Sequence, residues 1–221
     1  MSIFCTDWSV HVTTKTTENG KVREGRSTRE AILEAASRLI HVHGYNHTAL
    51  DDVLRESGVG KGNFYYYFKS KEDLGYAILD QTIDSFLERT LEPCFSDPDG
   101  QALAQIHCFL DRILEAQRAS NCVGGCALGN LAAELSDVHE GFRGRLATVF
   151  ATWRERFTDV LRAAQSRGTV DAACQPEAVA DFLVASLEGA ILLTKLTKHI
   201  TVMEQCVAET KRYLSLFEPR V

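Results

Sequence analysis

Between Lys61 and Lys71 the chain reads KGNFYYYFKSK, which places three ammonium groups, one carboxamide and three phenols in a single short run. An ammonium can donate to guanine acceptors or to phosphate, a carboxamide can pair with a base edge, and a phenol combines a flat apolar face with a hydroxyl donor. This is the chemistry of recognition rather than of bond making. On a helical wheel of residues 61–68, Phe64 and Phe68 stand four apart on one face and are expected to pack inward against Leu50 and Val53. Gly62, Asn63 and Tyr66 fall on the opposite face, with Lys61, Tyr65 and Tyr67 on its flanks. The outward set suits a DNA major groove, and Gly62, without a side chain, lets the helix lie close to the bases. Lys71 is expected in the first turn of the next helix, where its ammonium joins free backbone N–H groups in an anion site; Thr48 is placed similarly at the start of an earlier helix.

These residues need a scaffold, and the preceding text supplies one. Ser27-Thr28-Arg29-Glu30 has capping-box spacing, and Ala31, Ile32, Ala35, Ala36, Leu39 and Ile40 repeat at helical intervals up to Gly44. A second helix starts at Thr48 and closes at Gly58. Gly58-Val59-Gly60 then leads into the aromatic helix, which makes a helix-turn-helix pattern. Ser70 caps a longer helix running towards Glu92. Further helices are expected at about 101–119, 127–138, 141–167, 175–198 and 201–217, separated by SDPDG, NCVGG, Gly168 and Pro176. The fold class is all-α: a flexible N-terminal arm over 1–26, a three-helix DNA-binding unit over 27–73, and a larger helical bundle over 74–221.

Charge divides the same way. Residues 21–71 carry nine Lys/Arg against six Asp/Glu, whereas 76–221 carry 14 against 20, so the net charge of −6 conceals a basic amino-terminal part. The first twenty residues show no secretory signal, and AILLTKL (190–196) is interrupted by Lys195, short of a membrane span. A cytoplasmic protein without a membrane partner is expected. Seven widely spread cysteines, an odd number, argue against a disulfide framework, and no zinc spacing is present. No metal or other cofactor is expected. His41 and His43, two apart on a helix, do not converge on a metal.

The stretch GVGKGNFYYYFKSKEDL (58–74) resembles the DNA-binding signature of the TetR family of one-component repressors, and the likeness is close over residues 27–80. It implies operator binding by the first three helices, and inducer binding and dimerisation by the rest. Gly60 departs from the Ser or Thr that members commonly carry as a helix cap; glycine caps more weakly, which leaves the fold intact but puts one phosphate contact in question. The helices over 181–200 and 201–217 resemble the pair that each subunit contributes to the family's four-helix dimer interface, with Leu183, Ser186, Leu187, Gly189, Ala190, Val207 and Leu214 as expected contacts. The inducer pocket is expected near Ile106, Phe109, Ile113, Phe150, Trp153 and Phe157.

In NCVGGCALGNLAAELSD (121–137), Cys126 is expected at a helix amino terminus, where the dipole favours thiolate, and Cys122 could resolve an oxidised partner. Some branches of the family carry a similar Gly-Cys…Leu-Ala-Ala-Glu run, among them regulators that respond to electrophiles or oxidants. The competing expectation is a packed thiol. The function implied is a homodimeric repressor that binds a palindromic operator and is released by a small-molecule inducer or an electrophile. Two alternatives stand beside it. One is a helical interaction module that has lost DNA binding, against which Lys61, the tyrosines and Lys71 argue. The other is an enzyme using the bundle pocket, against which the lack of Gly-x-Ser-x-Gly, P-loop, dinucleotide and metal-ligand motifs argues.

Overall fold

The structure is a computed structural model that describes residues 27–97 and 100–219. The arm expected over 1–26 lies outside the described residues. Among them the chain forms nine α-helices and no strand: α1 (Thr28–His43), α2 (Leu50–Ser57), α3 (Lys61–Tyr67), α4 (Lys71–Phe86), α5 (Ala102–Ala119), α6 (Ala127–Leu135), α7 (Glu140–Ser166), α8 (Pro176–Thr197) and α9 (Ile200–Ser215). The all-α expectation therefore holds for the described chain.

Local chemistry sets the ends of the first helices. Ser27 Oγ accepts the Glu30 amide at 3.2 Å while the Glu30 carboxylate accepts the Ser27 amide at 3.0 Å, completing the capping box. Helix α2 starts at Leu50 with Ala49 as its cap, two residues beyond Thr48. It ends at Gly58, whose φ of +68° is the left-handed conformation that a side chain resists. Helices α2 and α3 both pack on α1, and Ile32, Ala36, Val53, Phe64 and Phe68 are buried together there.

Helix α4 extends from this unit into the second. At its end it loosens into a π turn (Leu87–Leu91) and a 3₁₀ turn (Glu92–Cys94), so one chain direction is kept to the residue after Pro93. Beyond it α5 packs on α7 and α9, and α8 packs on α7 and α9, which closes a ring of four helices. Phe86, Phe95, Phe109, Trp153 and Phe157 fill its upper end, with ring centroids between 5.3 and 6.3 Å apart. A cysteine pair corrects one expectation: Cys94 and Cys108 form a disulfide between the 3₁₀ turn and α5, with Cα atoms 5.7 Å apart. An odd, scattered set of cysteines excludes a framework, but not one bridge between neighbouring elements.

Candidate nucleic-acid interface and interior pocket

Helix α3 divides its aromatic residues as its period requires. Phe64 is fully buried and Phe68, just past the helix end, is nearly so; their rings lie 5.7 Å apart. Tyr66 is 82% exposed, with Tyr65 and Tyr67 also on the surface, and the Tyr66 and Tyr67 rings meet edge to face at 4.9 Å. Lys61 and Asn63 are exposed, and nothing approaches the positions that side chains would take at Gly60 and Gly62. Gly60 is the helix cap and offers no side-chain acceptor. The result is a short ridge of phenols, one ammonium and one carboxamide beside bare backbone.

Of two expected phosphate contacts, Thr48 is buried and Lys71 is seated on an aromatic ring. Thr48 is 3% exposed and its hydroxyl donates to the Gly44 carbonyl at 2.7 Å, because the helix begins after it and the side chain closes the α1–α2 turn instead. The Lys71 ammonium lies 4.5 Å from the centre of the Tyr45 ring, and partial burial holds its pKa below the usual lysine range against the pull of Glu134. Asp73 also occupies the amino end of α4: its amide donates to Ser70 Oγ at 3.0 Å and its carboxylate accepts the Lys69 amide at 2.9 Å.

Behind this unit, Glu134 of α6 reaches the α1–α2 turn. Its two carboxylate oxygens accept the amides of Tyr45 at 2.8 Å and Asn46 at 2.6 Å. The Tyr45 ring then packs on Phe142 of α7, which stacks on Tyr76 of α4 at 4.4 Å. At the other end of α6, Cys126 is the cap, and its sulfur accepts the Gly129 amide at 3.2 Å.

That sulfur borders an interior pocket of about 80 Å³ lined by Phe86, Thr90, Ile113, Gln117, Trp153, Glu188 and Ile191, among others. Of the six expected pocket residues only Ile113 and Trp153 line it. Ile106, Phe109 and Phe157 are fully buried in the aromatic core, and Phe150 packs on the Trp153 ring. Helical spacing marks residues as apolar without saying which side of a core opens into a cavity. Gln117 and Glu188 were missed: each is one of several polar residues in its helix, and nothing local singles it out.

Of the two expectations for Cys126, its surroundings favour the packed thiol. Although Cys126 keeps part of its residue surface open, the thiol is enclosed, and burial first, then the Glu188 carboxylate, push its pKa well above the usual thiol range. The helix terminus favours the anion, but desolvation outweighs it. Cys122 is buried in a left-handed conformation (φ +60°), and its carbonyl accepts from Lys198 Nζ at 3.3 Å. Glu188 is half-buried, and burial raises its pKa despite a hydrogen bond from Cys126.

His41 of α1 also lines this pocket and packs against Gly124, where a Cβ would fall 1.8 Å from His41 Nε2. Gly124 has φ +84°, so both space and backbone demand glycine there. Burial, and then Lys195, lower the His41 pKa.

The expected dimer residues divide. Leu183, Leu187, Val207 and Leu214 are buried inside the protomer, on the sides of α8 and α9 that face the ring. Ser186 and Gly189 instead lie along an outer groove of about 550 Å³ with Phe182, Leu193, Cys206, Tyr213 and Leu216. Ala190 also borders this groove, at its floor.

Among the described residues no helix is long and apolar enough to cross a membrane, and no group of three His, Cys, Asp or Glu could hold a metal ion. The arrangement is that of a helix-turn-helix protein with a hollowed helical bundle behind its reading head. Residues 32–78 match the family described as bacterial regulatory proteins, tetR family, and residues 102–209 match the tetracyclin repressor-like C-terminal domain. An HTH-type transcriptional regulator from the lacX 3′ region of Lactococcus lactis subsp. lactis is 34% identical over 179 residues, covering 81% of this chain and 89% of that protein. The HTH-type transcriptional repressor DhaR of Mycobacterium sp. (strain GP1) is 29% identical, covering 80% of this chain and 87% of its own length. In three dimensions, the regulatory protein TetR of Rhodobacter sphaeroides superposes with a TM-score of 0.76 at 29% identity, over 84% of this chain and 98% of that one. The chain belongs to the TetR family of DNA-binding transcriptional regulators, and it is a regulator rather than an enzyme.

Proposed function

We propose that this regulator is a homodimeric, cytoplasmic repressor that holds a palindromic operator through α3 and releases it when a small molecule enters the interior pocket. The observation that carries the reading is the exposed ridge of Lys61, Asn63, Tyr65, Tyr66 and Tyr67 on α3. One ridge of this size reads few base pairs, so useful specificity calls for a second copy.

The outer face of α8 supports that second copy. Phe182, Ser186, Gly189, Leu193 and Leu196 alternate spacings of four and three, and Cys206, Glu209, Tyr213 and Leu216 continue the stripe on α9. Spacing of this kind forms a seam between helices, and two helices from each protomer make a four-helix interface. Leu196 is 74% exposed in the isolated protomer, an arrangement that a partner surface relieves.

Helix α6 supports the ligand response. Its cap borders the pocket and its far end grips the α1–α2 turn, a span of about 12 Å at 1.5 Å per residue. A molecule that shifts Cys126, or displaces His41 from Gly124, moves the reading head relative to the bundle. It thereby favours a conformation whose two α3 helices no longer match successive major grooves. Sedimentation of the protein with a duplex selected from a random DNA pool tests the reading. The expected species contains two protomers per duplex; a single protomer per duplex would contradict it.

A further inference from the structure

Two walls of the interior pocket are joined by a covalent bond. Phe86 and Thr90 line the pocket from the end of α4 and the π turn after it, and Ile113, Ala116 and Gln117 line it from α5. Cys94 follows Thr90, and Cys108 precedes Ile113, each by about one helical turn, so the Cys94–Cys108 disulfide ties these two walls close to the cavity. Arg112 Nη1 of α5 also donates to the Arg89 carbonyl of the π turn at 2.9 Å, an exposed contact that water can replace. Water cannot replace the disulfide.

The cavity held in this way is about 80 Å³, whereas ligand pockets generally span roughly 300–1,000 Å³. A molecule of ordinary size enters only if the walls part, and the bridge restrains α4 from leaving α5. Cys94 is 6% exposed while Cys108 is only partly buried, so a dissolved thiol or disulfide reaches the pair through Cys108. In a reducing cytoplasm, the compartment of the proposed function, disulfides are rare, and those that form are mostly transient or redox-sensing.

We propose that Cys94 and Cys108 form a reversible thiol–disulfide latch: oxidised, it holds the interior pocket small; reduced, it lets the walls part. It rests on the reading of the pocket as the regulatory site only for its effect on DNA. Closure uses a low-molecular-weight disulfide as oxidant. The Cys108 thiolate attacks one sulfur of that disulfide, whose S–S bond breaks and releases one thiolate. The Cys94 thiolate then attacks the Cys108 sulfur, forming the protein bond and displacing the second thiolate. The two cysteines lose two electrons and two protons, which the oxidant takes up as two thiols. A dithiol reverses the sequence.

Trp153 lines the pocket and is 2% exposed, so quenching of its fluorescence by succinimide, a neutral solute, tests the inference. The full-length protein carries Trp8→Phe, which leaves Trp153 as its one tryptophan. It is treated with oxidised glutathione or with dithiothreitol, freed of reagent, and its bridge content is read by mass after alkylation. The bimolecular quenching constant, taken from lifetimes, is expected to rise by about fivefold or more on reduction, the lower end of typical coupling between sites. Cys108→Ser and Cys94→Ala, each checked for native helical content, should show the reduced value after either treatment. Equal quenching of the oxidised and reduced proteins overturns the latch. So does a pair that oxidised glutathione fails to close or dithiothreitol fails to open, or a change on oxidation that persists in both variants. The readout needs neither DNA nor ligand. Failure of the regulatory reading therefore leaves it standing, and equal quenching leaves operator binding untouched.

Discussion

Glu134 holds Tyr45 by its backbone: the carboxylate near the end of α6 accepts the Tyr45 amide at 2.8 Å and, through its second oxygen, the Asn46 amide at 2.6 Å. A helix of the bundle is thereby fastened to the turn that orients the reading head. Hydrogen bonds to a charged group contribute about 1.5–3 kcal/mol. Glu134→Ala should therefore lower the thermal midpoint by about 3–12 °C, at roughly 2–4 °C per kcal/mol for a chain of this size. It should also blunt ligand-induced release of DNA while leaving DNA affinity without ligand closer to wild type. Differential scanning calorimetry and fluorescence anisotropy measure the two effects, and an unchanged ligand response would remove α6 from the coupling path.

The lysines flanking α3 should behave differently. Lys61 is exposed beside the tyrosine ridge, whereas the Lys71 ammonium is seated over Tyr45. Lys61→Ala and Tyr66→Ala should each relax sequence discrimination by about 1–3 kcal/mol where they reach base edges. Lys71→Ala should alter the slope of log affinity against log salt by much less than the value near one expected for a direct phosphate contact. Titrations at several salt concentrations check this, and a full unit of slope lost with Lys71 would restore it as a phosphate ligand.

Most of the fold was legible in the sequence because helix ends are local events. Ser27 with Glu30, Gly58 and Ser70 are caps or stops whose chemistry acts within a few residues, and the helices begin and end near them. The split of Phe64 from Tyr66 was legible for the same reason, since one helical period determines it. Which side of a helix meets which neighbour is not local. Leu183 and Leu193 are both leucines in one helix, yet the first lies inside the ring and the second outside, and only the packing of α7 and α9 distinguishes them. Cys126 likewise occupies the expected cap, but its ionisation is governed by burial and by Glu188, 62 positions away, which no local pattern reveals.

That distinction between leucines yields opposite outcomes on substitution. Leu193→Glu should shift the protein from dimer to monomer in sedimentation while helical content remains, because the side chain borders the outer groove. Leu183→Ala should leave association intact but destabilise the protomer by about 2–5 kcal/mol, the usual cost of truncating a buried leucine. Dissociation by the second and not the first would exchange the two faces.

Acid should loosen the contact between α1 and the pocket. Burial and Lys195 depress the folded-state pKa of His41, so His41 is neutral in the fold while the unfolded chain protonates near the ordinary histidine value. Its contribution is present above that value and is lost as pH falls towards the folded pKa, where the unfolded state holds the extra proton. Between about pH 7 and pH 5.5, wild type should lose more thermal stability than His41→Gln. Parallel melting profiles of the two proteins in that interval would refute the assignment.

In the proposed reading, two copies of α3, carried by one dimer, read DNA with their tyrosine ridges. Hydroxyl-radical footprinting of the protein on its selected duplex tests it most directly. Two protected patches related by a twofold axis are expected, centred about one helical turn or a multiple of a turn apart, with Tyr66→Ala weakening both equally. A single asymmetric patch, or protection unaffected by changes in α3, would contradict it.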